Sequence, residues 1–212
     1  LIVDVYDLAD TGAGDTPSTT RYSPNEDKSI GNLYAPAPGS WGSVLTLGNG
    51  YTKIDDGASH NDSDWLAFPG GSHLRMAFGT SGFTGRPTSV SFDIRVFGYA
   101  GQNGKLHVEL YNGSTYVQRL GTITPPANGA DWPSGFSTYR LGPFTTNPLT
   151  GLPWTTSDIT SFDTGTNLLI QLTGPVSSTA VSWLSMIVES GTDKRVATGS
   201  TAVQTSPPSG TQ

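Results

Sequence analysis

The chain has 212 residues with 27 glycines, 15 prolines, no cysteine and only 13% charged side chains. This composition is typical of many turns between short strands, so a helical fold is disfavoured. The formal charge of −6 provides no basic groove for phosphates, and no run of about 18 apolar residues marks a membrane span, so we expect neither nucleic acid nor membrane as a partner.

Residues 1–42 are predicted to form an extended N-terminal arm. Residues 1–8 have strand composition, but turn-forming residues outnumber apolar ones in the rest of this segment. Such a long stretch without regular structure is unusual inside a compact domain. We therefore expect the arm to lie across a neighbouring subunit or over the surface of the folded domain.

The folded domain is predicted to span residues 43–190 and to begin with a hairpin. Residues 44–47 and 51–54 have strand composition and flank a Gly-Asn-Gly turn. A further strand is predicted at 73–78. The clearest strand is 89–99, in which apolar and polar residues alternate strictly.

Residues 105–111 alternate in the same way and are predicted to pair with 89–99. The turn Asn112-Gly113 then leads into a strand at 115–120. The three strands 89–99, 105–111 and 115–120 would form a meander.

Three more strands are predicted at 137–141, 167–172 and 180–189, with Trp183 of the last facing inward. Seven or more strands with one apolar face each need two sheets packed face to face. The predicted fold class is all-β, an antiparallel, jelly-roll-like β-sandwich. Residues 191–212 are a polar tail, expected to be flexible or bound to a partner.

Two segments carry a resemblance to a known family. Residues 51–66 contain an Ile-Asp-Asp step and an acidic cluster before an aromatic strand, and residues 143–162 contain an Asn-Pro turn, a Trp-Thr pair and a short helix. Both resemble sandwich domains in structural proteins of tailed bacteriophages. The resemblance implies a capsid-decoration, head-fibre or tail role. Related sandwiches occur in adhesins and carbohydrate-binding proteins.

Residues 155–162 also carry the signals of a helix start. Thr155 and Asp158 fit a variant of the capping box at a helix start, and Ile159 and Phe162 share one face of the helical turn that follows.

Four carboxylates, Asp55, Asp56, Asp62 and Asp64, lie close together in one predicted loop. Calcium binds six to eight oxygens from such loops, so a calcium site is one interpretation. The spacing differs from that of an EF-hand, and a solvated acidic turn is the alternative. A glycosidase pair would need two carboxyl groups facing each other across a cleft, for which the sequence offers no sign.

Aromatic residues are the other candidates for recognition. Trp41 and Trp132 lie in loops rich in glycine and proline, and Trp154 follows the Asn-Pro turn. We predict these three as interface or ligand residues, with packing at the end of the sandwich as the alternative for Trp154.

The leading hypothesis from the sequence is a virion structural protein, not an enzyme, that acts through homo-oligomeric assembly with other virion subunits at the virion surface. It could also contact a host-surface glycan. The alternative is an extracellular carbohydrate-binding module or adhesin domain that uses exposed Trp and Tyr side chains. A hydrolase acting through the acidic loop ranks last. No catalytic residue is predicted, because none of the three histidines is spaced for a zinc site or a nucleophile's base.

Overall fold

A computed structural model describes residues 17–34, 44–57, 59–99, 104–125, 127–128, 135–164, 168–174 and 179–191. The strands in these ranges are β1 Ser18–Tyr22, β2 Pro24–Gly31, β3 Leu66–Phe68, β4 Ser72–Phe78, β5 Pro87–Tyr99, β6 Leu106–Asn112, β7 Thr115–Ile123, β8 Ala127–Asn128, β9 Ser137–Phe144, β10 Leu169–Gly174 and β11 Thr179–Ser190. The helices are α1, Thr156–Thr164, and a 3-10 turn at Tyr51–Lys53. None of the described helices has the length and hydropathy that crossing a bilayer requires.

The strands form two sheets that pack face to face. The six-stranded sheet has the order β1-β11-β5-β9, with β3 also pairing with β11 and β8 running parallel to β5. The five-stranded sheet has the order β2-β4-β10-β6-β7, with every pair antiparallel. The predicted all-β, antiparallel, jelly-roll-like sandwich is therefore confirmed.

The alternation of β5 explains where the core lies. Val90, Phe92 and Ile94 are at most 1% exposed and belong to the main apolar cluster. The inward-facing residues of the five-stranded sheet, such as Leu74 on β4 and Val108 on β6, join the same cluster. Burying these two apolar faces against each other is the dominant favourable term for the sandwich.

The sandwich begins earlier in the chain than residue 43. β1 pairs with β11, from Ser18 opposite Ser190, and β2 pairs with β4. Most of β1 is exposed and polar, so these outer strands are held mainly by backbone hydrogen bonds and carry little of the apolar pattern that marks a strand in sequence. The remainder of the predicted arm, residues 1–16 and 35–42, and residues 192–212 of the tail lie outside the described residues.

The predicted hairpin at 44–54 is absent, and a capped loop takes its place. Val44 forms only an isolated bridge, and residues 51–53 form the 3-10 turn. The buried carboxylate of Asp27 on β2 accepts hydrogen bonds from the backbone N–H groups of Gly48, Gly50 and Tyr51, at 3.0, 2.7 and 2.7 Å. These bonds satisfy three backbone N–H groups of the loop, and they hold the loop against β2.

The predicted pairing of β5 with β6 is also wrong. β5 pairs with β11 and β9 in one sheet, whereas β6 pairs with β10 and β7 in the other. Both strands alternate because each has one buried face, and a period of two does not tell which sheet a strand joins. The predicted hairpin of β6 and β7 across Gly113, whose φ is +58°, is confirmed.

The short helix predicted after Trp154 is present as α1. The hydroxyl of Thr155 accepts a hydrogen bond from the Asp158 N–H at 3.1 Å, and the Asp158 carboxylate accepts one from the Thr155 N–H at 2.8 Å. This reciprocal pair is the predicted capping box. Ile159 and Phe162 are fully buried, and the Phe162 ring meets Phe78 edge to face with centroids 6.3 Å apart.

Candidate functional site

The outer face of the five-stranded sheet carries polar residues that stand opposite one another on all five strands. The central row is Ser29, Arg75, Gln171, Glu109 and Arg119, in the order of the strands across the sheet. Neighbouring strands are about 4.8 Å apart, so the row is about 19 Å long. A ligand that lies extended across the sheet can contact every member of this row.

Gln171 is the centre of this row and connects its two charged sides. Its amide oxygen accepts hydrogen bonds from Nε and Nη2 of Arg75, at 3.1 and 2.9 Å. Its amide nitrogen donates to Oε2 of Glu109 at 3.3 Å and to the hydroxyl of Tyr111 at 3.1 Å. Gln171 and Glu109 are each 6% exposed. Their side chains are therefore fixed before any ligand arrives.

The outer end of the row is an ion pair. Nη2 of Arg119 lies 3.1 Å from Oε1 of Glu109, and the hydroxyl of Thr173 donates to Oε2 of the same carboxylate at 3.0 Å. The Arg119 side chain is about half exposed. A ligand lying on the sheet would meet the Arg119 guanidinium directly and the Glu109 carboxylate at the floor.

A pair of tyrosines lies beside the row. Tyr111 and Tyr116 are opposite each other on β6 and β7, and their rings meet edge to face with centroids 5.7 Å apart. The Arg75 guanidinium stacks on the Tyr111 ring at 3.8 Å from its centroid. Tyr116 is 50% exposed. The face thus offers an open aromatic ring next to fixed hydrogen-bonding groups.

A row of histidines and threonines borders the other side. His73, Thr173, His107 and Thr122 stand opposite one another on four strands. Burial, followed by the charge of Arg75, lowers the pKa of His73. Burial, followed by the charge of Arg119, lowers the pKa of His107. The lowered pKa values favour the neutral form of both rings, which offers hydrogen bonds without charge.

Taken as chemistry, the outer face combines an aromatic ring with amide, guanidinium, carboxylate, hydroxyl and imidazole groups. An aromatic face attracts weakly polarised C–H groups, and the polar groups can donate to or accept from hydroxyls. The described carboxylates of this face, Glu109 and Glu26, are already paired with Arg119 and Lys28. This arrangement suits recognition of a polar, hydroxyl-rich ligand.

Comparisons with known proteins leave both the family and the ligand open. No protein-family model matches the chain, and no curated protein matches it. Among solved structures, the C-terminal CBM6 of LamC, a marine laminarinase from Zobellia galactanivorans, is 10% identical, with a TM-score of 0.43; the match covers 81% of this chain and 99% of that one.

A second solved structure is a family GH115 4-O-methyl-alpha-glucuronidase, BtGH115A, with specificity for decorated arabinogalactans. It is 13% identical, with a TM-score of 0.36, and the match covers 79% of this chain but 17% of that one. At these identities and TM-scores neither structure assigns a ligand to this chain. The phage resemblance stays a hypothesis.

The acidic loop predicted as a possible calcium site has its carboxylates bound to separate partners. Asp62 forms a two-point ion pair with Arg95, at 2.7 and 2.6 Å, and accepts a hydrogen bond from Ser182. Burial alone would raise the Asp62 pKa, but these hydrogen bonds more than offset it, and the pKa is lowered. Asp64 pairs with Lys53 at 3.2 Å.

The other two carboxylates of this loop point elsewhere. Asp56 accepts a hydrogen bond from the Asn61 N–H at 2.7 Å. Burial raises the pKa of Asp55, and the charges of Asp56 and Asp64 add to the increase. In the described part of the chain, no three acidic or histidine side chains are grouped as a metal ion needs. The loop is held on the sheet by the ion pair of Asp62 with Arg95 and by the hydrogen bond from Ser182.

The loop covers Trp183, which does not lie between the sheets. The register of β11 shifts between Val181 and Trp183, and this bulge turns the Trp183 ring to the outer face of the six-stranded sheet. Its indole N–H donates to the Gly57 carbonyl at 3.1 Å, and the Arg21 guanidinium lies 5.9 Å from the ring centroid. The ring is buried as predicted, but under the loop.

Trp154 packs at the end of the sandwich. It is 5% exposed, its indole N–H donates to the Phe144 carbonyl at 2.8 Å, and its ring lies 6.3 Å from that of Phe162. This placement matches the packing alternative and leaves no open ring face for a ligand in this conformation. Trp41 and Trp132 lie outside the described residues, so their predicted interface role stays a prediction.

A second concavity lies near α1 and is open on one side. It has a volume of about 220 Å³ and is lined by Asn112, Leu149, Ser157, Asp158, Ser161 and Leu168. No aromatic ring lines it, and Asp158 is already engaged as the helix cap. It offers fewer fixed, outward groups than the outer face of the five-stranded sheet.

Proposed function

We propose that this domain is a non-catalytic carbohydrate-binding module that holds a glycan on the outer face of its five-stranded sheet. The observation that carries the proposal is the row from Arg75 through Gln171 and Glu109 to Arg119, placed beside the exposed Tyr116 ring. This is the alternative function drawn from the sequence, now attached to particular residues.

A sugar ring matches this face because it has two kinds of surface. Its C–H groups can lie on the half-exposed Tyr116 ring, and its hydroxyls can pair with the amide, guanidinium and carboxylate groups of the row. Gln171 and Glu109 are held by their neighbours. Little side-chain entropy is then lost on binding, which favours affinity for a flexible polymer.

The absence of catalysis is part of the proposal. A glycosidase needs two carboxyl groups about 5 to 10 Å apart, one of them with a raised pKa. On the outer face of the five-stranded sheet, Arg119 pairs with Glu109 and Lys28 pairs with Glu26, which lies on the edge strand β2. Asp62 in the acidic loop is held by Arg95 with a lowered pKa, which does not suit a general acid.

The test is a glycan array probed with the whole chain, followed by calorimetry on the best ligand. We expect Tyr116→Ala to weaken binding at least about tenfold, because aromatic anchors dominate such interfaces. Tyr51→Ala is the matched control, since that ring lies outside this face and its backbone bond to Asp27 is kept. An array without binding, or equal affinities for both variants, would contradict the proposal.

The location of such a module follows from its ligand. We propose an extracellular setting, where polysaccharides and cell-surface glycans occur. The virion-surface role, with other virion subunits as partners, stays a hypothesis based on the resemblance of residues 51–66 and 143–162. Its test is sedimentation of the purified chain, where a trimer or a higher closed oligomer would favour a virion role and a monomer would count against it.

A further inference from the structure

Arg75 is the one half-buried arginine among the described residues that has no carboxylate partner. Four arginines lie within 3.1 Å of a carboxylate oxygen, namely Arg21, Arg95, Arg119 and Arg140. Arg86 has no such partner among the described residues, but it is exposed to water. Arg75 has no carboxylate within ion-pair distance among the described residues, although it is half-buried in the centre of the outer face of the five-stranded sheet. A half-buried cation without a counter-charge is costly unless something compensates it.

The partners of Arg75 are neutral and hold it in one orientation. Nε and Nη2 donate to the Gln171 amide oxygen, and Nη1 donates to the Gly113 carbonyl at 3.3 Å. The Tyr111 ring supports the plane of the guanidinium at 3.8 Å. A guanidinium has five N–H groups, so two remain after these three contacts.

The charges on this face do not balance. Glu109 is matched by Arg119 at 3.1 Å and Glu26 by Lys28 at 2.6 Å, and Gln171 separates the Glu109 pair from Arg75. One positive charge is therefore in excess at the centre of the face, although the chain as a whole carries −6. Distant charges are screened over about 8 Å at physiological salt, so a group in contact with Arg75 interacts mainly with Arg75.

We infer that the glycan bound on this face is anionic and that Arg75 binds its carboxylate or sulfate group. The inference rests on the proposed carbohydrate-binding function and gives its substrate class: polymers that contain uronic acids or sulfated sugars. The planar guanidinium can meet two oxygens of such a group with its free N–H groups, and these charge-assisted bonds are stronger than bonds to a hydroxyl.

The experiment compares polymers that differ only in charge. Calorimetry or affinity electrophoresis with the whole chain measures binding to a polyuronate, to the same polymer after reduction of its carboxyl groups to alcohols, and to a sulfated neutral polymer with its unsulfated parent. We expect the anionic member of at least one pair to bind about tenfold or more tightly than its neutral counterpart. The pair that shows the preference identifies the anion as carboxylate or sulfate.

Variants separate the charge of Arg75 from its shape. Arg75→Gln is expected to remove the preference for the anionic polymer. Arg75→Lys is expected to retain part of it, since lysine keeps the positive charge but lacks the planar group that can bind two oxygens at once. Arg86→Gln is the matched control, because Arg86 is exposed and lies outside this face. If Arg75→Gln fails to fold, the comparison of charged and neutral polymers on the unaltered chain still decides.

The outcomes distinguish this inference from the proposed function. Equal binding to charged and neutral members of both pairs would overturn the inference and leave carbohydrate binding intact. No binding to any of these polymers, together with an array without hits, would overturn both. A preference for anions that Arg75→Gln leaves unchanged would also overturn it, because the charge that selects them would lie elsewhere.

Discussion

Replacing Gln171 with leucine tests whether the polar row is the built network that we describe. Leucine has a similar size but forms no hydrogen bond, so the bonds to Arg75 and Glu109 are lost together. A hydrogen bond to a charged group contributes about 1.5 to 3 kcal/mol. Water can replace the bond at the half-exposed Arg75, so that side contributes little, whereas Glu109 is 6% exposed and loses its bond without full rehydration.

We therefore expect Gln171→Leu to lower the free energy of unfolding by about 2 to 3 kcal/mol, with a melting temperature about 4 to 12 °C lower. Urea denaturation followed by tryptophan fluorescence measures it, and the slope against denaturant should not change. Gln118→Leu is the control, because Gln118 on β7 is exposed, and its effect should stay within about 0.5 kcal/mol. Equal stabilities of the two variants would refute the network.

Three further predictions concern the rest of the sandwich. The pKa values of His73 and His107 are lowered in the folded chain, so below about pH 6.5 the unfolded chain binds more protons than the folded one. The stability present above that pH is therefore lost as the pH falls through the folded pKa values. Urea midpoints at about pH 7.5 and 5 measure this loss, and His107→Gln should reduce the difference between them. Thr155→Ala and Asp158→Ala should each cost about 1 kcal/mol, and the double variant less than their sum, because both break one capping box. Phe162→Ala should lower the free energy of unfolding by about 3 to 5 kcal/mol, measured by calorimetry, since the ring projects from α1, is fully buried and packs on Phe78. A decrease under about 1 kcal/mol would contradict its place in the core.

The strands that could be predicted from the sequence are those with one buried face. In β5, Val90, Phe92 and Ile94 alternate with polar residues because the inner face packs against the other sheet. The outward Asp93 is buried as well, but beneath the charged partners Arg21 and Arg140. β1 could not be recognised in this way, since its sequence Ser-Thr-Thr-Arg-Tyr has almost no apolar face. It is held by backbone hydrogen bonds to β11 and by polar contacts such as those of Thr19 with Glu189 and Arg21 with Asp93, and neither produces an apolar pattern.

Which strands pair was harder to predict than where the strands lie. β5 and β6 follow each other in the chain and alternate alike, yet they belong to opposite sheets. The inward orientation predicted for Trp183 failed for a related reason, because a single bulge after Val181 reverses the face on which the ring lies. A local pattern of apolar residues predicts neither the sheet that a strand joins nor the position of a bulge.

The candidate site depends on register across strands that are far apart in sequence. The outward position of His107 and Glu109 on β6 could be predicted from alternation. That Gln171 lies opposite both Arg75 and Glu109 depends on pairings over 96 and 62 residues. The signal that could have pointed to it is the presence of polar residues, Arg75 and Gln171, in the middle of otherwise apolar strands.

The central position of β11 has a consequence for how the chain acquires its structure. β11 is the last of the described strands along the sequence, yet it lies between β1 and β5 and receives β3 as well. During synthesis, β1 cannot pair with β11 until residues near 190 have left the ribosome. Contacts this distant in sequence make folding slow, in the range of milliseconds to seconds or longer. Until then the open edge of β5 is exposed to other nascent chains.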